Sequence, residues 1–206
     1  LHTTGRYHNT DDTWDRIYDH PYNFTASNER GVELAEARVT IGSWEADAKI
    51  LEVGNVLAHY PELDRLAGPR RIVDLFEQGE GVENIDVLDI TGSFDGIIAI
   101  STLEHVGVDD GTSYPDRALA AITHLRRLLR LDGELFVTFP FGWNEALDAA
   151  WTDGQLGPAW DATWQRDGNG GWDEMTTTTP PGYGVTQPWA EAVWVGTFGP
   201  LVTRPS

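Results

Sequence analysis

The chain has 206 residues and no cysteine, which is length enough for one domain with a sizeable core and excludes a disulfide scaffold, a thiolate metal site and a Cys nucleophile. Its 33 acidic residues against 14 basic ones give a formal net charge of −19, a surface that repels phosphate backbones and so speaks against nucleic acid or an anionic membrane as a partner. A neutral or cationic small-molecule or oligosaccharide partner fits that charge, although acidity also serves solubility alone.

The first 28 residues are polar and aromatic and follow no clear period. They lack the basic start and apolar stretch of a secretory signal, and no run in the chain approaches the roughly 20 apolar residues that cross a bilayer, so the expected location is the cytoplasm. From Asn28, NERGVELAEARVTIG spaces Val32, Leu34, Ala35 and Val39 as a helix that ends at Gly42. AKILEVGN is a short apolar run closed by Gly54 and predicts a buried strand. VLAHYPELDRLAG is partly helical with Pro61 as an interruption. RRIVDLF predicts a second strand, VENIDVLDI a third, and the β-branched run FDGIIAIS over 94–101 a fourth. DRALAAITHLRRLLRL predicts an amphipathic helix over 116–131, with Leu119, Ile122, Leu125, Leu128 and Leu129 on one stripe and Asp132-Gly133 as its stop. ELFVTFPFG is a further strand. After Trp143 the composition shifts to Gly, Pro, Thr and Trp, and DGNGGWDEMTTTTPPGYG reads as loop before a last strand in PWAEAVWVGTF.

Alternating strands and helices predict a parallel sheet covered by helices, whose ligands bind beyond the carboxyl ends of the strands. Acids stand at three such ends: Glu52 before Gly54, Asp74 after the second strand and Asp86 after VENI. A carboxylate accepts two hydrogen bonds from a cis-diol or one from an exocyclic amine, so acids here suit an adenosine group. The turn EVGNVLAHY has one glycine, whereas a dinucleotide's pyrophosphate needs a glycine-rich cradle. That contrast favours S-adenosylmethionine over NAD or FAD.

ILEVGN, IVDLFE, ENIDVLDI, FDGIIAISTLEHVG and LRRLLRLDGELFVTFPFG stand in the order and approximate spacing of the class I S-adenosylmethionine-dependent methyltransferases, which residues 48–143 resemble. NERGVE looks like the opening helix of a bacterial subgroup that acts on sugars and cell-surface glycans, the mannoside O-methyltransferase type included. The sequence departs from the wider E-x-G-x-G-x-G pattern with Asn55, Val56 and Ala58 after the first glycine.

The resemblance implies an α/β, Rossmann-like fold: a mostly parallel seven-stranded sheet with helices on both faces, plus a loop-rich, tryptophan-rich C-terminal segment. It implies one methyltransferase domain over 1–206, divided into a cap segment 1–47, a cofactor core 48–142, and acceptor-side loops with a final strand over 143–206. Glu52, Gly54 and Asn55 would line the methionine end of the cofactor and Asp74 would hold the ribose hydroxyls. Phe76 would stack on adenine, with Asp86 and the Val87 backbone at its amine. Ser101 would lie under the sulfonium, and Arg30 would pair with the cofactor carboxylate.

Methyl transfer needs alignment and removal of a proton. His105 follows the fourth strand, with Glu104 before it, and is the candidate general base; the competing reading makes it a histidine that fixes the turn. In related enzymes E-x-x-E-H supplies metal ligands. Here Ser101 replaces the first carboxylate, so Mg²⁺ would need Asp109 or Asp110. His59, Tyr60, Trp143, Asn144 and Asp148 are candidate acceptor contacts. Seven of the nine tryptophans lie between 143 and 194, where they could face sugars, fill a local core or form a contact between two copies in a homodimer. The expected activity is O-methylation of a saccharide or glycan precursor. The alternatives are O- or N-methylation of a natural product or small metabolite, and a degenerate module that binds cofactor without turnover.

Overall fold

The computed structural model describes residues 18–109, 111, 113–175, 179, 182–184 and 189–201. Five short strands come first: β1 (Ile50–Val53), β2 (Arg70–Val73), β3 (Val82–Glu83), β4 (Phe94–Ile100) and β5 (Leu129–Pro140). The last three are β6 (Trp160–Arg166), β7 (Trp172–Glu174) and β8 (Ala192–Phe198). They form one sheet in the order β3-β2-β1-β4-β5-β8-β6-β7. Pairs among the first five are parallel, whereas β8 runs antiparallel between β5 and β6, and β7 is antiparallel to β6. The Rossmann-like α/β sheet expected from the sequence is present, with eight strands rather than seven. The addition is β7, three residues at the edge.

Among the described residues four α-helices cover the sheet: α1 (Arg30–Ser43), α2 (Pro61–Ala67), α3 (Arg117–Arg127) and α4 (Glu145–Thr152). Because side chains alternate along a strand, Ile97 and Ala99 of β4 pack with α3 and α4, while Ile98 and Ile100 pack with α1 and α2. Helices therefore sit on both faces.

Several boundaries differ from the sequence reading for local reasons. Pro61 opens α2, where its missing N–H costs nothing, rather than interrupting a helix. Helix α3 stops at Arg127, because Leu129 pairs with Phe94 as the start of β5; Asp132-Gly133 lies in the register shift of that pair. The third strand shrinks to Val82–Glu83. Between 143 and 201 the chain holds α4 and β6 as well as loops, and Trp164, Trp172 and Trp194 are fully buried against the sheet. Those three tryptophans belong to the core rather than to an acceptor pocket.

Candidate functional site

In this sheet the strand order reverses between β1 and β4, since β2 and β3 lie to one side and β5 to the other. A cleft of about 320 Å³ opens at the carboxyl ends of β1, β2 and β4. The sequence-predicted residues Arg30, Gly54, Asn55, His59, Tyr60, Asp74, Phe76, Asp86, Val87, Ser101 and His105 all line it.

The turn after β1 is built around Gly54, which takes φ +85° and donates its N–H to the Val73 carbonyl at 2.8 Å. Only glycine serves here, because a Cβ would collide with the Thr102 side chain. Asn55 donates to Glu77 Oε1 at 2.6 Å, while its buried Oδ1 has no hydrogen-bond partner among the described residues. A buried, unmet acceptor on a cleft wall is suited to an N–H or O–H of a bound molecule.

Asp74 follows the last residue of β2, and one of its oxygens accepts the N–H groups of Phe76 and Glu77 at 2.8 and 2.7 Å. These bonds fix the carboxylate at the cleft wall beside Phe76, a residue 65% exposed. Asp86 caps the 3-10 turn Val87–Asp89 through Leu88 N and accepts from Arg117 Nη2 at 2.6 Å. Both of its oxygens are thus engaged within the protein, so an adenine amine would share Asp86 with Arg117.

Glu52 is a correction. It does not line the cleft: its carboxylate is 2% exposed, accepts Leu57 N at 2.7 Å and binds Arg70 Nε at 2.5 Å. It anchors the turn from behind instead of meeting a ligand.

Ser101 lies one residue past β4 with φ +40°, and its hydroxyl donates to Glu33. Glu33, fully buried, also accepts from Thr138 Oγ1 at 2.7 Å and lies 3.2 Å from Arg30 Nη1. Arg30 donates in addition to the Ile100 carbonyl at 3.2 Å. Its guanidinium is therefore partly neutralised from within α1, and a cofactor carboxylate would share it with Glu33. Sequence reasoning missed Glu33. Glu33, Glu36 and Thr40 recur at helical spacing on one face of α1 and the structure buries all three, but that spacing alone does not tell a buried polar face from a solvated one.

Glu104 is 1% exposed, and burial holds its carboxyl well above the ordinary carboxylate range, with Glu33 and Glu29 adding to the rise and Arg30 opposing it. His105, by contrast, is 43% exposed at the side chain, and its Nδ1 is hydrogen-bonded to Asp109 Oδ2. The Trp143 ring stands edge-on to the His105 ring, 5.1 Å between centroids, and the Trp143 indole N–H reaches the same Asp109 oxygen at 3.3 Å. Tyr183 packs edge-on to Trp143 at 5.0 Å.

The remaining acceptor candidates divide. His59 stacks on Tyr22 at 4.5 Å, and Tyr60 is buried with its hydroxyl on Thr25 Oγ1 at 3.1 Å. Asn144 is a correction: it is 1% exposed, caps α4 through Ala146 N and Leu147 N, and donates to the Glu104 carbonyl. It ties two loops together and has no free face for an acceptor. Asp148 accepts Gly142 N at 2.9 Å and, with Trp143, lines a separate open hollow. Among the described residues no group of three His, Cys, Asp or Glu side chains is placed to hold a metal; Asp110 lies outside the described residues. No helix of the described residues is long and apolar enough to cross a membrane.

No protein-family model and no curated protein matches the sequence. Several solved structures align with it at low identity. The N-methyltransferase NodS from Bradyrhizobium japonicum WM9, in complex with S-adenosyl-L-homocysteine, aligns over 92% of this chain and 92% of its own at 14% identity and TM-score 0.48. Magnesium protoporphyrin IX methyltransferase from Synechocystis PCC 6803, with bound SAM, aligns over 90% and 89% at 18% identity and TM-score 0.47. For the CcbJ methyltransferase from Streptomyces caelestis the alignment covers 51% of this chain and 48% of the other, at 16% identity and TM-score 0.40.

Proposed function

We propose that the chain is an S-adenosylmethionine-dependent methyltransferase. One observation carries the reading: a single-glycine turn at Gly54, the Asp74 carboxylate, the Asp86 carboxylate and the unmet Asn55 acceptor line one cleft at the switch point of the sheet. The turn has room for an adenosyl group without forming a phosphate cradle. Asp74 would hold the ribose hydroxyls, Phe76 and Val87 the adenine, and Asn55 and Arg30 the amino-acid end. When bound, the cofactor supplies an electrophilic methyl group on a sulfonium.

The acceptor proposed is a hydroxyl of a saccharide or glycan precursor, with His105 as the base that removes its proton. In support, His105 lines the cleft with the Trp143 ring edge-on to it, Tyr183 packs in turn on Trp143, and aromatic faces pack well on sugars. A natural-product acceptor is favoured instead by the half-exposed Tyr22, which gives the cleft an apolar margin.

The test is calorimetric titration with S-adenosylhomocysteine, expected to show one site per chain. Absence of heat up to about 1 mM ligand, binding weaker than about 4 kcal/mol, would overturn the proposal. Labelled methyl donor offered with a panel of oligosaccharides and small metabolites then separates the acceptor classes, and binding without turnover on any acceptor identifies a degenerate module.

A further inference from the structure

We infer that Asp109 is a positioning residue which holds His105 in the tautomer needed for a base, protonated on Nδ1 with the Nε2 lone pair left for an acceptor. This deepens the proposed methyl transfer and rests on that reading.

Asp109 follows His105 by four residues, across the turn that succeeds the 3-10 segment Leu103–His105, and the two side chains meet directly through Nδ1 and Oδ2. A carboxylate is an acceptor only, so the proton in that bond belongs to Nδ1. The other ring nitrogen then carries the lone pair. A free imidazole would divide its proton between the two nitrogens; the carboxylate removes that choice.

A second donor fixes the carboxylate itself. The Trp143 indole N–H lies 3.3 Å from the same Asp109 oxygen, and the Trp143 ring is packed edge-on to His105. The loop between β5 and α4 thus steadies Asp109 while bounding the imidazole. Oδ2 of Asp109 consequently faces two N–H donors, which together set the direction of the carboxylate.

The other groups around the ring are consistent with a vacant Nε2. Glu104 Oε1 is 3.6 Å from Nε2, too long for a hydrogen bond. Behind Glu104 stand Glu33, Glu29 and Arg30, and behind Trp143 stands the Tyr183 phenol. Among the described residues no hydrogen bond occupies Nε2, and His105 lines the cleft.

The step balances without a further reagent. The acceptor O–H bond breaks with its proton going to Nε2. The oxygen's electron pair forms the new C–O bond as the methyl's C–S bond breaks and its pair stays on sulfur. The imidazolium is stabilised by the Asp109 carboxylate and returns its proton to water through the exposed side of the ring.

The test is ¹⁵N NMR of histidine-labelled protein, which reads the tautomer without any acceptor. The neutral wild-type His105 is expected to be protonated on Nδ1. In Asp109→Ala that preference should vanish, because the acceptor that selects it is gone. Once an acceptor is known, the same variant should lose turnover on the order of 10²-fold, within the range a general base contributes, with the loss in kcat rather than in affinity for S-adenosylhomocysteine. A wild-type imidazole protonated on Nε2 overturns the inference, and this measurement does not depend on the variant folding. An unchanged preference for the Nδ1–H tautomer in a folded Asp109→Ala variant overturns it too. Binding of S-adenosylhomocysteine with the Nε2–H tautomer removes the dyad alone, whereas failure to bind removes the methyl-transfer reading whatever the tautomer.

Discussion

Gly54 and Thr102 touch across the floor of the cleft, so closely that the space a Cβ would need on Gly54 is filled by the Thr102 side chain. The contact joins the turn after β1 to the end of β4, the two strands between which the sheet order reverses. Gly54→Ala should therefore fail twice. The φ of +85° costs an L side chain about 1–2 kcal/mol, and Thr102 must also move. Thermal denaturation should show the lost stability and calorimetry a weakened response to S-adenosylhomocysteine. A variant with wild-type affinity would mean that this turn does not shape the binding site.

Asp74 has a structural and a ligand-facing use that can be separated. Its Oδ1 accepts two backbone N–H groups, so Asp74→Ala loses both the local turn and any bond to a ribose. Asp74→Asn keeps an oxygen for the turn but removes the charge. Each hydrogen bond to a charged group contributes about 1.5–3 kcal/mol. The Asn variant is expected to stay folded while binding S-adenosylhomocysteine about tenfold to a hundredfold more weakly. Equal affinities of wild type and Asn variant would take the ribose away from Asp74.

His105→Ala removes the proposed base and leaves the adenosyl subsite intact. Turnover on a hydroxyl acceptor should fall by about 10²–10⁴-fold, with affinity for S-adenosylhomocysteine nearly unchanged. An amine acceptor presented already deprotonated should be far less affected, because nitrogen then needs no base. Comparing the two acceptor types in the same variant decides whether the histidine serves chemistry or only the turn.

The elements that position the site were legible where one residue pattern had one outcome. FDGIIAI is β-branched and bounded, and it is β4; ILEV ends at a glycine, and it is β1. The helix over 116–131 was overextended because Leu128, Leu129 and Leu131 continue its period, and only pairing with Phe94 pulls Leu129 into a strand. Tertiary pairing overrode local periodicity. Glu33 was illegible for a related reason: an acid in a helix looks solvated until Ser101 and Thr138, 68 and 105 residues away, are brought against it. Glu52 and Asn144 have the residue type and chain position of ligand contacts, and the structure consumes their polar atoms in bracing neighbouring turns. Burial of Trp164 and Trp172 by β6 and β7 followed from two strands that the Gly- and Thr-rich composition concealed.

Glu104 should make stability depend on pH in a stated direction. Burial raises its folded carboxyl well above the ordinary 4.5, so the folded state binds this proton more tightly than the unfolded chain does. The resulting stabilisation is complete below 4.5 and is lost as pH rises through the folded value. Glu104→Gln keeps the shape and cannot ionise. Melting temperatures of the two proteins should be close in acid and diverge upward, the Gln variant becoming the more stable at neutral and higher pH. Parallel curves would show that Glu104 is not buried as an uncharged acid.

The ion pair behind the turn predicts a larger effect on folding. Arg70 is 4% exposed at its side chain and is held by Glu52, Asp64 and the Gly68 carbonyl. Removing Glu52 leaves the Nε–H of a buried guanidinium unpaired, strips away its one buried carboxylate and also orphans the Leu57 N–H. Breaking one side of a buried pair costs about 3–5 kcal/mol, whereas replacing both members with apolar residues of similar size is often neutral. Glu52→Ala should accordingly unfold at much lower urea, while the double variant Glu52→Leu, Arg70→Met should recover most of the loss. Binding of S-adenosylhomocysteine gives the second readout. If Glu52 only anchors the turn from behind, the recovered double variant still binds, more weakly because Leu57 lacks its acceptor. If the recovered fold shows no binding at all, Glu52 meets the ligand after all, and its placement outside the cleft is overturned.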